Sequence, residues 1–295
     1  MGLLNRRLED GYLLRRAARA SLWDAATSPE VGVEALQHLA ADGDPEARLR
    51  LVQHMLDGSA GDTRALARIG DEGAVRRLID QVEKLPGNKM FQIQALVESR
   101  SPLAIPTLTK LLSDKDHPDH IANAADGLGL MGAKTAIPAL RQIYQDGTNT
   151  LAVRLAAAAG LYRMNDTTGL PLLQKQLALP DAPFVQLGTA RFMAPQPGGP
   201  PPDPTWLKVV RQLAASPNTS VRAQAAGLVA PYDNELARKA LEPLLTDGDT
   251  VVREMAAKTM IESVATDFTT LRYMLRSASA LTRVRAADRV LKLTR

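Results

Sequence analysis

The chain reads as an all-α protein, a right-handed α-solenoid of stacked two-helix repeats behind an N-terminal capping helix, and three observations predict it. Of 295 residues 45 % are hydrophobic but only 4 % aromatic, so Ala, Leu, Val, Ile and Met must build the core, a set that lets helices approach closely. Short motifs return at a spacing near 33 residues, the range in which repeat architectures declare themselves. Apolar positions inside each motif fall at i, i+3 and i+4, as Leu108, Leu111 and Leu112 do, and alternation of period two is nowhere sustained.

Residues 1–28 hold the expected cap, a helix over 3–22 with Leu4, Leu8 and Leu14 to one side, shielding the first repeat. In residues 29–100 the repeat is degenerate: Pro45-Glu-Ala-Arg-Leu-Arg has the form of a second helix and Glu72-Gly-Ala-Val-Arg-Arg-Leu-Ile that of a first. Residues 101–295 carry the regular repeats. Their first helix, A, opens with Ala104-Ile-Pro-Thr-Leu, Ala136-Ile-Pro-Ala-Leu and Gly169-Leu-Pro-Leu-Leu, with Pro106, Pro138 and Pro171 spaced by 32 and 33. Thr135 and Thr168 are expected as N-caps, which puts Pro138 and Pro171 at the third helical position, where a missing N–H costs nothing. Pro106 is harder, since a helix begun at Ser101 places it fifth; that helix is either bent or starts later. A weaker copy, Ala240-Leu-Glu-Pro-Leu-Leu, runs into Asp247-Gly-Asp249 as the first runs into Asp114-Lys-Asp116.

The second helix, B, opens with Val153-Arg-Leu-Ala-Ala-Ala, Val221-Arg-Ala-Gln-Ala-Ala, Val252-Arg-Glu-Met-Ala-Ala and Thr282-Arg-Val-Arg-Ala-Ala. Its arginines Arg154, Arg222, Arg253 and Arg283 lie 68, 31 and 30 residues apart, the long gap hiding a copy at Val185 with Gln186 in the arginine slot; in an earlier copy Ile121 stands there. The Ile-Pro-x-Leu start of helix A, the turn aspartates Asp114, Asp116, Asp247 and Asp249, and the Val-Arg-x-x-Ala-Ala start of helix B resemble the HEAT-repeat family, in particular the HEAT-like repeats of phycobilisome lyases. The resemblance is clear over 101–295 and implies that each ladder arginine pairs with a turn aspartate.

With no cysteine, thiolate chemistry, disulfides and Cys-ligated metals are excluded. Gly127-Leu-Gly-Leu-Met-Gly132 matches the dinucleotide fingerprint in letters, but it lies at the end of a helix B with no strand before it and is read as helix termination. Asp114-Lys-Asp-His-Pro-Asp-His120 gathers three carboxylates and two imidazoles, a composition that hard and borderline cations favour, yet it falls on a turn and is read as cap and turn. No catalytic, cofactor or metal residue is therefore assigned, and no enzyme activity is expected. The clearest departure from the repeat is an insertion at 195–204 with six prolines in ten residues, followed by Trp206. The candidate partner-binding residues are accordingly Arg154, Arg222, Arg253 and Arg283 as a row of cations, with Pro200, Pro201, Pro202 and Trp206 at the insertion.

Net charge is +4, distributed as +3 over residues 1–20, +6 over 272–295 and −5 between them. Basic ends and a pI near 9.4 admit a nucleic-acid partner. Two alternatives follow from resemblance alone: a HEAT-like DNA-binding protein similar to alkyl-purine glycosylases, and a bilin lyase or chaperone-like subunit. The acidic middle speaks against DNA, and the repeat together with the lack of legible catalytic chemistry favours a cytoplasmic, monomeric scaffold or adaptor that holds a protein partner or extended peptide on its concave face. No run approaches the roughly 18 to 20 apolar residues of a membrane span, and no secretory signal is legible, though a mature exported chain would read the same. Arg6 replaces the Ser or Thr that an N-myristoylation motif needs.

Overall fold

The computed structural model describes residues 2–195, 202–264 and 267–294, with side chains from Asp10 onward, and among these the chain is helical throughout, without strands. It forms two compact units, one made of 1–58 together with 210–295 and the other of 59–209. No helix among the described residues is long and apolar enough to cross a membrane.

The first unit begins with α1 (Gly2–Ala25), α2 (Gly32–Ala41) and α3 (Pro45–Leu56). The second holds α4 (Ala60–Arg68), α5 (Glu72–Lys84), α6 (Met90–Ser99), α7 (Ile105–Leu111), α8 (Pro118–Leu130), α9 (Ile137–Gln145), α10 (Leu151–Arg163), α11 (Leu170–Leu177) and α12 (Pro183–Phe192). After α13 (Pro204–Ala214), the first unit resumes with α14 (Thr219–Val229), α15 (Asn234–Leu241), α16 (Thr250–Thr259), α17 (Phe268–Met274) and α18 (Ala280–Leu293). Side-chain oxygens cap half of these starts: Asp44, Ser59, Asp71, Thr150, Asn218, Asp233, Asp249, Asp267 and Ser279 each accept from a backbone N–H of the first turn.

The proline question resolves through a device absent from the expectation. Each Ile-Pro or Leu-Pro helix is preceded by one 3₁₀ turn, at Pro102–Ala104, Lys134–Ala136 and Thr167–Gly169, so Pro106, Pro138 and Pro171 all sit second in the α-helix proper. There no i−4 hydrogen bond is lost and no kink is required. Thr135 and Thr168 are consequently not caps: both lie inside the 3₁₀ turn, and Asp166 caps it by accepting from Thr168 N at 2.9 Å. The weak copy around Pro243 also differs, because that proline opens a 3₁₀ turn, Glu242–Thr246, at the end of α15 rather than the start of a helix.

In the second unit the B helices stand in a row, α6 on α8, α8 on α10 and α10 on α12, with α4 beside α6. Small residues set the approach. A Cβ on Gly129 would lie 2.4 Å from Gly160 Cα, and one on Gly127 would lie 2.3 Å from Val97 Cγ2. The run 127–132 therefore ends α8, with Gly132 at φ +63, and also lets α8 meet α10 backbone to backbone and lie directly against the Val97 side chain of α6. Most of α10 is buried as a result.

In the first unit the two ends of the chain meet. α1 lies along α18 as well as on α2. Arg15 Nη1 donates to Leu291 O at 3.0 Å and to Thr294 Oγ1 at 3.2 Å, and its Nη2 donates to both Asp42 carboxylate oxygens at 2.6 and 2.8 Å. Arg19 bridges Asp42 and Asp44, Arg272 pairs with Asp10, and Arg285 with Glu34. The cap thus covers the last repeat as much as the first.

Candidate functional site

The row of ladder arginines is the first candidate, and its hydrogen bonds run to backbone. Arg222 Nη1 donates to Ser216 O at 2.7 Å, Arg253 Nη1 to Asp247 O at 2.6 Å and Gly248 O at 2.9 Å, and Arg283 Nη1 to Ser277 O at 2.8 Å and Ala278 O at 2.9 Å. Arg154 Nε donates to Tyr144 O at 3.0 Å. Each acceptor lies at the end of the preceding helix or in the turn after it, where carbonyls lack intrahelical partners and the helix dipole is negative. The pairing with turn aspartates implied by the resemblance is replaced by this carbonyl contact; of those aspartates, Asp249 caps α16 and Asp247 accepts from Asp249 N. Gln186 repeats the contact, its Nε2 donating to Leu177 O at 3.2 Å, so a neutral amide keeps the role that arginine has elsewhere. What the ladder does is join helix A to helix B.

Trp206 is 1 % exposed and its indole N–H donates to Ala190 O at 2.8 Å, which makes it a core residue linking α13 to α12. Pro202 is half-buried, while Pro200 and Pro201 lie outside the described residues.

The structure draws together Asp114, His117 and His120, from the segment singled out by its donor content. His117 Nδ1 lies 3.0 and 3.2 Å from the two Asp114 carboxylate oxygens, and His120 Nδ1 lies 2.9 Å from Oδ2. The turn after α7 presents Asp114, and the first turn of α8 places the two imidazoles three residues apart on one face, stacked with centroids 4.5 Å apart. His120 is 1 % exposed, and its Nε2 faces the Lys89 backbone N–H at 3.4 Å. Burial acts to raise the Asp114 carboxyl, but hydrogen bonds from His117 and His120 outweigh it and hold that group below the usual carboxylate range. Asp114 also lines a groove of about 390 Å³ whose walls include Glu83, Lys89, Thr107, Lys110 and Ser113.

Two features of the B-helix row were not foreseen. Ion pairs tie neighbours together: Arg64 and Arg68 of α4 to Glu98 of α6, and Asp126 of α8 to Arg163 of α10, whose guanidinium lies over the Phe192 ring. Glu98 is held low, because its bonds and charge contacts with Arg64 and Arg68 outweigh a burial effect that would raise it. The row also exposes apolar side chains at its N-terminal end, Phe91 on α6, Leu151 on α10, and Phe184 and Val185 on α12. Their signal in the sequence is an apolar residue in the two or three positions before the arginine slot, where a solvated helix start favours a polar one.

A family model described as HEAT repeats matches residues 88–151 and 105–194. Among solved structures the chain is similar to human deoxyhypusine hydroxylase in complex with glycerol, at 18 % identity and a TM-score of 0.33, over 78 % of this chain and 98 % of that one. No curated protein matches the chain.

Proposed function

Since residues 88–194 are HEAT repeats, we propose that this chain is a non-catalytic scaffold that holds an extended segment or helix of a protein partner along its row of second helices. The observation that carries the reading is the set of apolar side chains Phe91, Leu151, Phe184 and Val185, exposed at the starts of α6, α10 and α12. Apolar side chains offered by several helices of a stiff row suit the anchors of an extended or helical ligand. Against the nucleic-acid alternative stand the ion pairs of Arg15, Arg19, Arg272 and Arg285, which engage much of the basic charge at the chain ends within the protein.

The test is affinity capture from the source cell with mass spectrometry, comparing the native chain with a Leu151→Glu, Phe184→Glu double variant. Both residues are exposed and lie in the first turn of their helices, where a carboxylate favours the fold. A stoichiometric protein partner with the native chain, lost with the variant, is expected. No such partner, or one retained by the variant, refutes the reading.

A further inference from the structure

The turn that separates α7 from α8 is more elaborate than a turn needs to be. At α10 and α14 one capping side chain suffices, Thr150 and Asn218, whereas here two imidazoles converge on one carboxylate and neither caps the helix. We propose that Asp114, His117 and His120 form a binding site for a borderline divalent cation of the zinc type, through one carboxylate oxygen and the two Nδ1 atoms. Of the three, Asp114 lines the groove that also holds Thr107 and Lys110.

Donor chemistry comes first. Two imidazole nitrogens and a carboxylate oxygen are a set that zinc takes at about 2.0–2.2 Å, with three protein ligands leaving one position for water or another ligand. Ligands at those bond lengths stand about 3.3 Å apart in a tetrahedron. Asp114 Oδ2 stands 2.9 Å from His120 Nδ1 and 3.2 Å from His117 Nδ1, within a few tenths of an ångström of that spacing, and one ligand atom from each residue can be chosen with all three within 4.8 Å of one another.

Preorganisation is the second ground. The His120 ring is buried, His117 stacks on it at an interplanar angle of 17°, and His117 N donates to Asp114 O at 3.2 Å, so binding orders little that is not ordered already. The protons can be accounted for as well. Without a cation each ring donates its Nδ1–H to Asp114, and the Lys89 N–H is offered to His120 Nε2. Coordination through Nδ1 moves the ring proton to Nε2; at His117 the half-exposed ring leaves that proton to solvent. At His120 the proton would meet the Lys89 N–H, so the connection from Leu85 to Lys89, which carries Gly87 at φ +82, must turn that amide away. Cation binding is thereby coupled to one wall of the groove.

The background is favourable for a test, because the chain has no cysteine and four histidines. Untagged, chelator-treated full-length protein is titrated with zinc chloride in competition with a chromophoric chelator. One zinc per chain is expected, with affinity at least about tenfold weaker in His117→Gln and in Asp114→Asn and unchanged in His54→Gln. Imidazole ¹⁵N spectra of the native chain should show the His117 and His120 Nδ1 resonances moving, together with the Lys89 amide. Less than one equivalent bound, or undiminished affinity in His117→Gln, overturns the proposal. His117 is 43 % exposed and caps nothing, so this variant keeps the fold and decides the matter even where Asp114→Asn does not.

Discussion

Replacing Gly129 by alanine sets helix propensity against packing, and the structure decides which wins. In an exposed helix the change gains about 0.5–1 kcal/mol, because alanine loses less backbone freedom on folding. At position 129 the new methyl would stand 2.4 Å from Gly160 Cα and 3.1 Å from Gly160 O. Carbon atoms settle near ~3.5–4.0 Å, so the first contact is about 1 Å too short. Both obstructing atoms are backbone, and no rotamer relieves them; α8 and α10 must part. Overpacking of this kind costs about 1–3 kcal/mol, and separating two largely buried helices falls toward the upper end. The expected net loss is about 1–2 kcal/mol, read as a fall in melting temperature of roughly 2–4 °C per kcal/mol for a unit of this size. Gly188 on α12 is the matched control: it is exposed, and its Cβ would meet nothing within 4 Å. Gly188→Ala should therefore gain about 0.5–1 kcal/mol. Thermal and urea unfolding of the two variants beside the native chain measures both, and a Gly129→Ala protein as stable as the native chain would refute the close-approach argument.

Three further outcomes follow from the same contacts. Arg253→Ala strips Asp247 O and Gly248 O of a donor and should cost about 1 kcal/mol in urea unfolding, while Asp247→Asn should be neutral within ~0.5 kcal/mol; equal costs would return the arginine to a carboxylate partner. Trp206→Phe leaves Ala190 O unpaired in a buried site and vacates volume beside it, for a loss of about 2–3 kcal/mol by the same measurement; a neutral change would deny Trp206 its place in the core. His38 lies 3.0 Å from Asp288 and 3.8 Å from Glu34; burial acts to lower it, but the hydrogen bonds and charges of those two carboxylates prevail and raise it, with Arg285 and Lys292 also paired to them. A raised folded-state value means that the protonated ring adds stability in full below the unfolded value near ~6.5, and that this stability drains away as pH climbs through the folded value. Melting temperature should therefore decline as pH rises above about 6.5 in the native chain and less so in His38→Gln, and identical slopes would remove His38 as the cause.

The repeat itself was legible because it is written into local chemistry. Period, helical spacing and the position of each Ala pair all follow from neighbours in the chain, and α7 to α12 and α14 to α18 stand where those motifs lie. Errors arose where one local signal had two physical outlets. Thr135 and Thr168 look like caps, but a 3₁₀ turn ahead of each proline puts them one turn too early. An arginine near an aspartate looks like an ion pair, but helix-end carbonyls lie nearer the guanidinium, and Gln186 gives the clue, since an amide in the same slot has no charge to pair. The His-Asp cluster was visible as donor content, whereas its convergence depends on how α8 leaves the turn. The meeting of α1 with α18 was out of reach altogether: Arg15 and Leu291 are 276 residues apart, and no periodicity marks two helices as partners at that distance.

That meeting also governs how such a protein can change in length. An array with bare ends can gain a repeat at either terminus, as a stack of plates gains one more on top. Here α1 and α18 each occupy the flank on which an added hairpin would have to settle, and Arg15 secures the seal through Asp42 on one side and Leu291 on the other. A tandem duplication appended after α18 would find no vacant berth without evicting α1. Within this unit the flank of α18 that another hairpin would use is already covered by α1.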